Sequence, residues 1–279
     1  MMIISREKEF AYTESDFQWI RTAVHKRVGI SLNESKREMV YARVARRIRA
    51  LNLKDFRSYR KILENTNSNE LVEFVNAITT NVTAFFRENH HFEALANEFF
   101  PEIIKRNYSS KKIRIWSAGC SSGEEPYSIA ITVKENIPES WDVKIIATDL
   151  DTNVLEKAKK GVYSIDAVSS IPKSRLKQWF WRGKGSNDSL VKVVPELQNI
   201  IDFKQLNLMG DWPHKGQFDI IFCRNVVIYF DKPTQRVLFD RYADILKDHG
   251  ILFLGHSESL HGVSDRFQFI RQTMHRKVR

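Results

Sequence analysis

The segment Ser117-Ala-Gly-Cys-Ser-Ser-Gly-Glu-Glu-Pro-Tyr127 follows one short apolar run and opens a helical pattern. Gly119 and Gly123 let a backbone turn tightly and come close to a ligand. The turn is not the G-x-G-x-x-G of dinucleotide sites, and acidic Glu124 and Glu125 at a helix start would repel a pyrophosphate. Those carboxylates suit a ligand that carries positive charge. Asp149 closes a second apolar run, where it is placed to accept hydrogen bonds from a ribose diol. Singly, each feature has a plainer reading, as a bare turn or a helix cap. Together, a glycine turn, an acidic helix start and a strand-end carboxylate fit S-adenosylmethionine, with its sulfonium, amino group and ribose.

Other reactive residue types read as structural. His90 and His91 are adjacent and do not share a helix face, and His256 and His261 lack the spacing of zinc proteases, so no metal is expected. Cys120 and Cys223 flank the expected pocket as small packing residues. Trp179, Phe180 and Trp181 read as hairpin core. No Ser-His-Asp or Cys-His set stands out.

The elements that must position these residues alternate. Strands are expected at Ile113–Trp116, Val143–Thr148, Phe218–Cys223 and Gly250–Leu254, with late strands at Phe267–Ile270 and His275–Val278. Helices are expected from about Glu125, over Thr152–Lys160 and over Pro233–Leu246. That rhythm predicts a doubly wound, mostly parallel α/β sheet. Between about 161 and 200 it breaks, and two runs around a Gly-Lys-Gly-Ser-Asn-Asp turn predict an inserted antiparallel β-subdomain. Ahead of the sheet lie four helical patterns. Their starts are expected at Ser15 or Asp16, Asn33, Asp55, and Ser68 or Asn69, and Gly29 ends the first. The expected division is an all-α domain over 1–85 and an α/β domain over 86–279.

The 279 residues are 42% hydrophobic and 28% charged, a globular balance. No apolar run reaches transmembrane length, since Arg224 and Asn225 interrupt the best one. No signal-peptide core is present near the start, so a cytoplasmic protein is expected, and two cysteines make no disulfide framework. The formal net charge of +10 is local: residues 21–60 hold twelve Lys and Arg against three acidic residues. On the second helix, Lys36, Arg43, Arg46, Arg47 and Arg49 occupy an arc of roughly 160°, apart from Val40, Val44 and Ile48. A face of one sign predicts an acidic partner more than a solubilising surface, which usually mixes signs.

Several strings carry a resemblance. Thr80-Asn-Val-Thr-Ala-Phe-Phe-Arg-Glu88, Gly123-Glu-Glu-Pro-Tyr-Ser128, Leu206-Asn-Leu208, Phe222-Cys-Arg-Asn-Val-Val-Ile-Tyr-Phe230 and Gly255-His-Ser-Glu258 resemble the chemotaxis-receptor glutamate O-methyltransferases (CheR-type). The resemblance covers nearly the whole chain. It implies a class I methyltransferase fold, S-adenosylmethionine as methyl donor with S-adenosylhomocysteine as product, and methyl esters on receptor glutamates for sensory adaptation. By position, it implies that Asn81, Thr83 and Arg87 reach the cofactor. Gly119, Glu125 and Asp149 would bind its charged and ribose portions, and Asn207, Leu208, Arg224 and Asn225 would line its pocket. Arg87 and Tyr229 would lie nearest the transferred methyl. The basic helix would bind the cytoplasmic helical region of membrane chemoreceptors. The β-subdomain would correspond to the one that docks a receptor's C-terminal peptide in some members. Recruitment to receptors without membrane insertion follows from the resemblance, and a monomer is the default expectation.

Two other functions compete. A nucleic-acid methyltransferase would pair a basic domain with the same donor. Its amino-group versions carry Asp/Asn-Pro-Pro-Tyr where this chain has Arg224-Asn-Val-Val227, and a cytosine C5 enzyme wants Pro-Cys where Phe222 precedes Cys223. A noncatalytic nucleotide- or RNA-binding adaptor would have no need of Arg87, Glu125, Asp149 and Tyr229 together.

Overall fold

Thr13 starts the first helix, α1 (Glu14–Val28), through a capping box: its hydroxyl accepts from the Asp16 N–H at 3.2 Å and the Asp16 carboxylate accepts from the Thr13 N–H at 2.9 Å. Asp16 is thus the third residue of the helix, not its cap. This computed structural model describes residues 8–65, 68–213 and 216–279. Its contacts divide the chain into two units, Met1–Thr80 and Asn81–Arg279.

In the first unit, α1 ends at Gly29, and a 3-10 turn at Glu34–Lys36 leads into α2 (Arg37–Ala50). Asn33 precedes that turn without capping it; its side chain accepts from Ser35 Oγ at 2.6 Å. Asp55 caps α3 (Phe56–Glu64) by accepting from the Ser58 N–H at 2.7 Å, and α4 (Glu70–Ile78) follows. Phe17, Val24, Val44, Ile48, Leu63 and Phe74 form the buried centre.

The cations of α2 do not act as one surface, which corrects the sequence expectation for two of them. Arg43 donates to the carbonyls of Ile78 at 2.6 Å and Thr79 at 2.7 Å, satisfying the orphaned end of α4. Arg47 makes a two-pronged pair with buried Glu70 (2.8 and 2.6 Å), whose carboxylate also accepts from Tyr59 Oη at 2.8 Å. The guanidinium pKa of Arg47 is raised, mainly by the Glu70 hydrogen bonds. Arg49 meets Glu9 at 2.7 Å in an exposed pair of little worth. Lys36 and Arg46 are exposed with no ion pair among the described residues. Helical spacing shows which residues share an arc, but not which acids a neighbouring helix brings to them.

The second unit opens with α5 (His90–Ala94), a π turn at Leu95–Phe99 and α6 (Phe100–Arg106). Then come β1 (Lys112–Ala118), α7 (Glu124–Asn136), β2 (Asp142–Asp149) and α8 (Thr152–Lys160). The insertion holds β3 (Val162–Ser164), α9 (Lys173–Trp179), β4 (Phe180–Arg182), β5 (Leu190–Val193) and α10 (Pro195–Gln198). The chain returns through β6 (Ile201–Gln205), β7 (Phe218–Cys223), α11 (Lys232–Ile245), β8 (Leu246–Leu254), β9 (Phe267–Arg271) and β10 (Met274–Lys277). The main sheet runs β6-β2-β1-β7-β8-β10-β9, with β10 antiparallel to β8 and β9 and the other pairings parallel. The order reverses direction between β1 and β7, so the carboxyl ends of β1, β2 and β7 face one crevice.

The insertion is a three-stranded sheet, β3-β5-β4, and the expected hairpin is its β4–β5 pair with Trp181 opposite Lys192. Its aromatics do not cluster as one core: Trp179 and Phe180 are buried, while Trp181 is 56% exposed. The unit boundary lies before Asn81, ahead of the 85/86 division read from sequence. Residues 81–85 are tied to the sheet, for Asn81 bonds to Asp151 and Phe85 packs edge-on against Tyr163 and Phe180.

Arg47→Ala leaves the buried Glu70 carboxylate without its counter-charge and is expected to lower stability by about 3 kcal/mol. Arg46→Ala is expected to change it by less than about 0.5 kcal/mol. Urea unfolding of the full chain checks both, and equal effects would contradict the division of roles on α2.

Candidate functional site

At the end of β1 the chain turns through Gly119 (φ 89°), whose N–H and that of Cys120 both donate to the Thr148 carbonyl, at 2.8 and 2.9 Å. These bonds bind the glycine turn to the end of β2. A Cβ at Gly119 would stand 2.4 Å from Val226 Cγ2, so the loop after β7 closes directly on this turn. Ser121, also at positive φ (49°), donates its N–H to Asp149 Oδ2 at 2.8 Å. The other Asp149 oxygen accepts from the Asp151 N–H at 3.0 Å. Burial pushes the Asp149 carboxyl up, against the pull of those backbone donors. A carboxylate has about four acceptor sites, so the backbone donors of Ser121, Asp151 and Leu150 leave room for a ligand hydroxyl. Asn81 reaches this end of the site: its amide donates to Asp151 Oδ2 at 2.7 Å and its carbonyl accepts from Ser121 Oγ at 2.9 Å.

The second cluster centres on Arg224 at the end of β7, which is 6% exposed. Its Nη1 donates to Glu125 Oε2 at 3.2 Å, its Nη2 donates to the Arg87 carbonyl and lies 3.3 Å from Glu88 Oε2, and the guanidinium sits over the Phe92 ring. The other Glu125 oxygen accepts from Ser117 Oγ at 2.7 Å. Burial pushes the Glu125 carboxyl up while Arg224 and Ser117 hold it down. One arginine thus joins β7, the first turn of α7 and the segment before α5. That segment has positive φ at Phe86 (52°) and Glu88 (55°), held in part by Phe86 N–H donating to Ser128 Oγ at 2.9 Å.

Glu258 shapes the third wall. Its buried carboxylate accepts from the N–H groups of Gly255 (2.6 Å), Asn225 (2.9 Å), Val226 and Val227 (both 2.8 Å) and Ile228 (3.3 Å). It fixes Asn225 at φ 60°. A Cβ on Gly255 would come within 2.7 Å of the Asn225 backbone nitrogen, so the approach demands glycine.

The expected residues are therefore placed as follows. Gly119, Asn81 and Asp149 share the β1–β2 end; Glu125, Arg224 and the backbone of Arg87 share the β7 end. Asn207 and Leu208 follow β6, where the Leu206 N–H donates to the Asp149 carbonyl at 2.9 Å. Leu208 is buried and its carbonyl accepts from Arg241 at 2.7 Å. The Arg87 side chain donates to the Val82 carbonyl at 2.9 Å, away from the carboxylates. Tyr229 lies half-buried on a 3-10 turn, Val227–Tyr229, and Thr83 is half-buried; neither side chain bonds to another named site residue. Sequence reasoning gave no role to Glu88 or Glu258. Both stand inside the strings that carried the resemblance, which was the available signal. Cys120 and Cys223 are buried, with thiols pushed up by burial.

His91 is fully buried, with Nε2 3.1 Å from the Gln272 carbonyl and Nδ1 3.6 Å from Glu88 Oε2. Glu88, His90 and His91 each bring one ligand atom within 4.8 Å of the others, but the Arg224 guanidinium beside Glu88 disfavours a cation there.

An excess of carboxylates at the strand ends fits S-adenosylmethionine, a net cation with a ribose diol. Comparison with known proteins agrees. A family profile described as "CheR methyltransferase, SAM binding domain" matches residues 81–276, and one described as "CheR methyltransferase, all-alpha domain" matches residues 15–79. "Chemotaxis protein methyltransferase 2" of Pseudomonas aeruginosa is 45% identical over 272 residues, covering 96% of this chain and 95% of its own. "Chemotaxis protein methyltransferase" of Salmonella typhimurium is 43% identical over 279 residues (98% and 94%), and that of Escherichia coli is 42% identical with the same coverage.

Burial and the neighbouring Arg224 lower the His91 pKa from 6.5 to about 3. Between those values the unfolded chain takes up a proton that the folded one refuses. The stability from keeping His91 neutral is complete above about pH 6.5 and is lost as pH falls toward about 3. His91→Gln is expected to flatten this part of the stability curve in urea unfolding; an unchanged slope would contradict it.

Proposed function

The chain belongs to the CheR methyltransferase family and is an S-adenosylmethionine-dependent methyltransferase, and on that premise we propose that it forms methyl esters on glutamate side chains of chemotaxis receptors. The observation that supports this reading is the carboxylate-rich crevice at the ends of β1, β2 and β7. A glutamate side chain has a reference pKa near 4.3 and is already ionised at neutral pH. It needs alignment and loss of water rather than deprotonation.

When bound, the cofactor would supply a methyl on a positively charged sulfur for transfer to an ionised acceptor oxygen, the C–S electron pair staying with the sulfur so that both charges are neutralised. The chain supplies the geometry. Asp149 would hold the ribose hydroxyls, with Gly119 allowing close backbone approach. Glu125, steadied by Ser117 and Arg224, would hold the cationic amino end. Asn81, Asn207, Leu208 and Asn225 would line the remaining walls, and Thr83 would reach in from the segment before α5. Arg87 and Tyr229 would orient the acceptor carboxylate. A tight ion pair to the acceptor would blunt its oxygen, so both are positioning groups. Orientation of this kind is worth up to roughly 7–11 kcal/mol in intramolecular models.

On the partner side, exposed Lys36, Arg46 and Arg49 would meet an acidic receptor helix. The β4 edge of the inserted sheet would take an extended receptor peptide by strand addition. Among the described residues no helix is long and apolar enough to cross a membrane, in keeping with a cytoplasmic enzyme recruited to receptors. The nucleic-acid methyltransferase and adaptor readings gain no support from the family match.

With labelled S-adenosylmethionine and receptor-containing membranes, label is expected as alkali-labile esters that release volatile methanol; label found only in RNA would overturn the proposal. Tyr229→Phe is expected to bind cofactor normally and transfer about 10- to 100-fold more slowly, and a full rate would remove Tyr229 from the mechanism. Lys36→Ala with Arg46→Ala is expected to weaken receptor methylation, most at low salt and least at high salt, with no change in cofactor affinity. Equal methylation at every salt concentration would return those cations to plain solvent-facing charge.

A further inference from the structure

The mechanism above leaves one charged carboxylate unused. Glu88 follows Arg87 at positive φ, and its side chain is 11% exposed. Its Oε1 meets His256 Nδ1 at 3.1 Å; its Oε2 lies 3.3 Å from Arg224 Nη2 and 3.6 Å from His91 Nδ1. Burial pushes the Glu88 carboxyl up, but Arg224 and the His256 hydrogen bonds outweigh it and hold the pKa at about 2. Glu88 Oε2, Arg224 Nε and His91 Nδ1 are all buried atoms without a hydrogen-bond partner. A network built only for rigidity would satisfy them.

Charge explains the arrangement better. Glu125 alone would neutralise Arg224. With Glu88 added, two carboxylates face one guanidinium, and His91 beside them stays neutral. With Glu88 and Glu125 both ionised and His91 and His256 neutral, the cluster carries one surplus negative charge beside the place proposed for the amino end of the cofactor. S-adenosylmethionine is a net cation, through sulfonium and ammonium against one carboxylate. S-adenosylhomocysteine, after methyl loss, is neutral.

We infer that Glu88 is a specificity-determining residue: its charge, left over after Arg224 is paired with Glu125, favours the cationic methyl donor over the neutral product. The same surplus weakens the hold on the cofactor once the methyl has left, which aids product release. Glu88 does this through the field of the cluster and without contact with the reacting atoms. The inference rests on the cofactor placement proposed above.

Isothermal titration of the full chain against S-adenosylmethionine, S-adenosylhomocysteine and sinefungin (a non-reactive analogue with an amine-bearing carbon in place of the sulfonium) tests it. Glu88→Gln is expected to weaken both cationic ligands about tenfold and the neutral product less than about twofold. Glu88→Asp keeps the charge and is expected to preserve the donor-to-product affinity ratio even where packing lowers both affinities. Equal losses for donor and product in Glu88→Gln would overturn the inference and make Glu88 a structural group. A shifted ratio in Glu88→Asp equal to that of Glu88→Gln would overturn it too. A wild-type chain that binds none of the three ligands would overturn the cofactor placement itself.

Discussion

The site depends on one buried cation. Arg224 is nearly sealed from water, and a guanidinium taken out of water is tolerated only with counter-charges and acceptors close by. It finds Glu125 from the start of α7, Glu88 from the segment before α5 and the Arg87 carbonyl. Because its partners come from two different elements, α7 and the segment before α5, satisfying Arg224 on β7 fixes those elements with respect to one another. The segment carrying Arg87 is thereby held beside the glycine turn, and the carboxylate expected to meet the cofactor is held at the crevice. Glu258 plays the complementary part, with one buried carboxylate gathering the free N–H groups of the loop after β7. A buried cation and a buried anion, each with several partners, build the walls that the strands only frame.

Much of this frame was legible in the sequence because it follows local rules. Thr152–Lys160 and Phe218–Cys223 emerge as read, since a cap followed by helical spacing, or an apolar run broken only by Asp219, marks such elements plainly. Strand β6 was not legible: Ile201–Gln205 is an edge strand of five residues with two charges, too short and too exposed for an apolar pattern to stand out. Strand β3 has three residues and gives no period. The roles of Glu88 and Glu258 were hidden for another reason. Each acts through partners distant along the chain, and the spacing of residues in sequence carries no trace of such contacts.

The net charge of +10 also changes meaning once the structure is known. Residues 21–60 of the helical unit hold twelve Lys and Arg against three acidic residues, yet Arg43 and Arg47 are committed to the carbonyls and the buried acid of α4. What remains toward solvent is Lys36 on the turn before α2, with Arg46 and the loosely paired Arg49 on α2 itself. The basic surface is therefore smaller than the composition implies. The α/β unit has the opposite local character: at its strand ends carboxylates outnumber the one buried arginine. In the proposed function, attraction of an acidic partner and retention of a cationic cofactor would fall to different elements with opposite local charge.

In the proposed site Arg224, shared between Glu88 and Glu125, organises a crevice that would bind S-adenosylmethionine at the ends of β1, β2 and β7. A crystal structure of the full chain with S-adenosylhomocysteine tests it most directly. The ribose hydroxyls are expected on Asp149, the amino group on Glu125, and Arg224 still between its two carboxylates. Cofactor bound elsewhere, or Arg224 turned away from both carboxylates to meet the ligand, would contradict it.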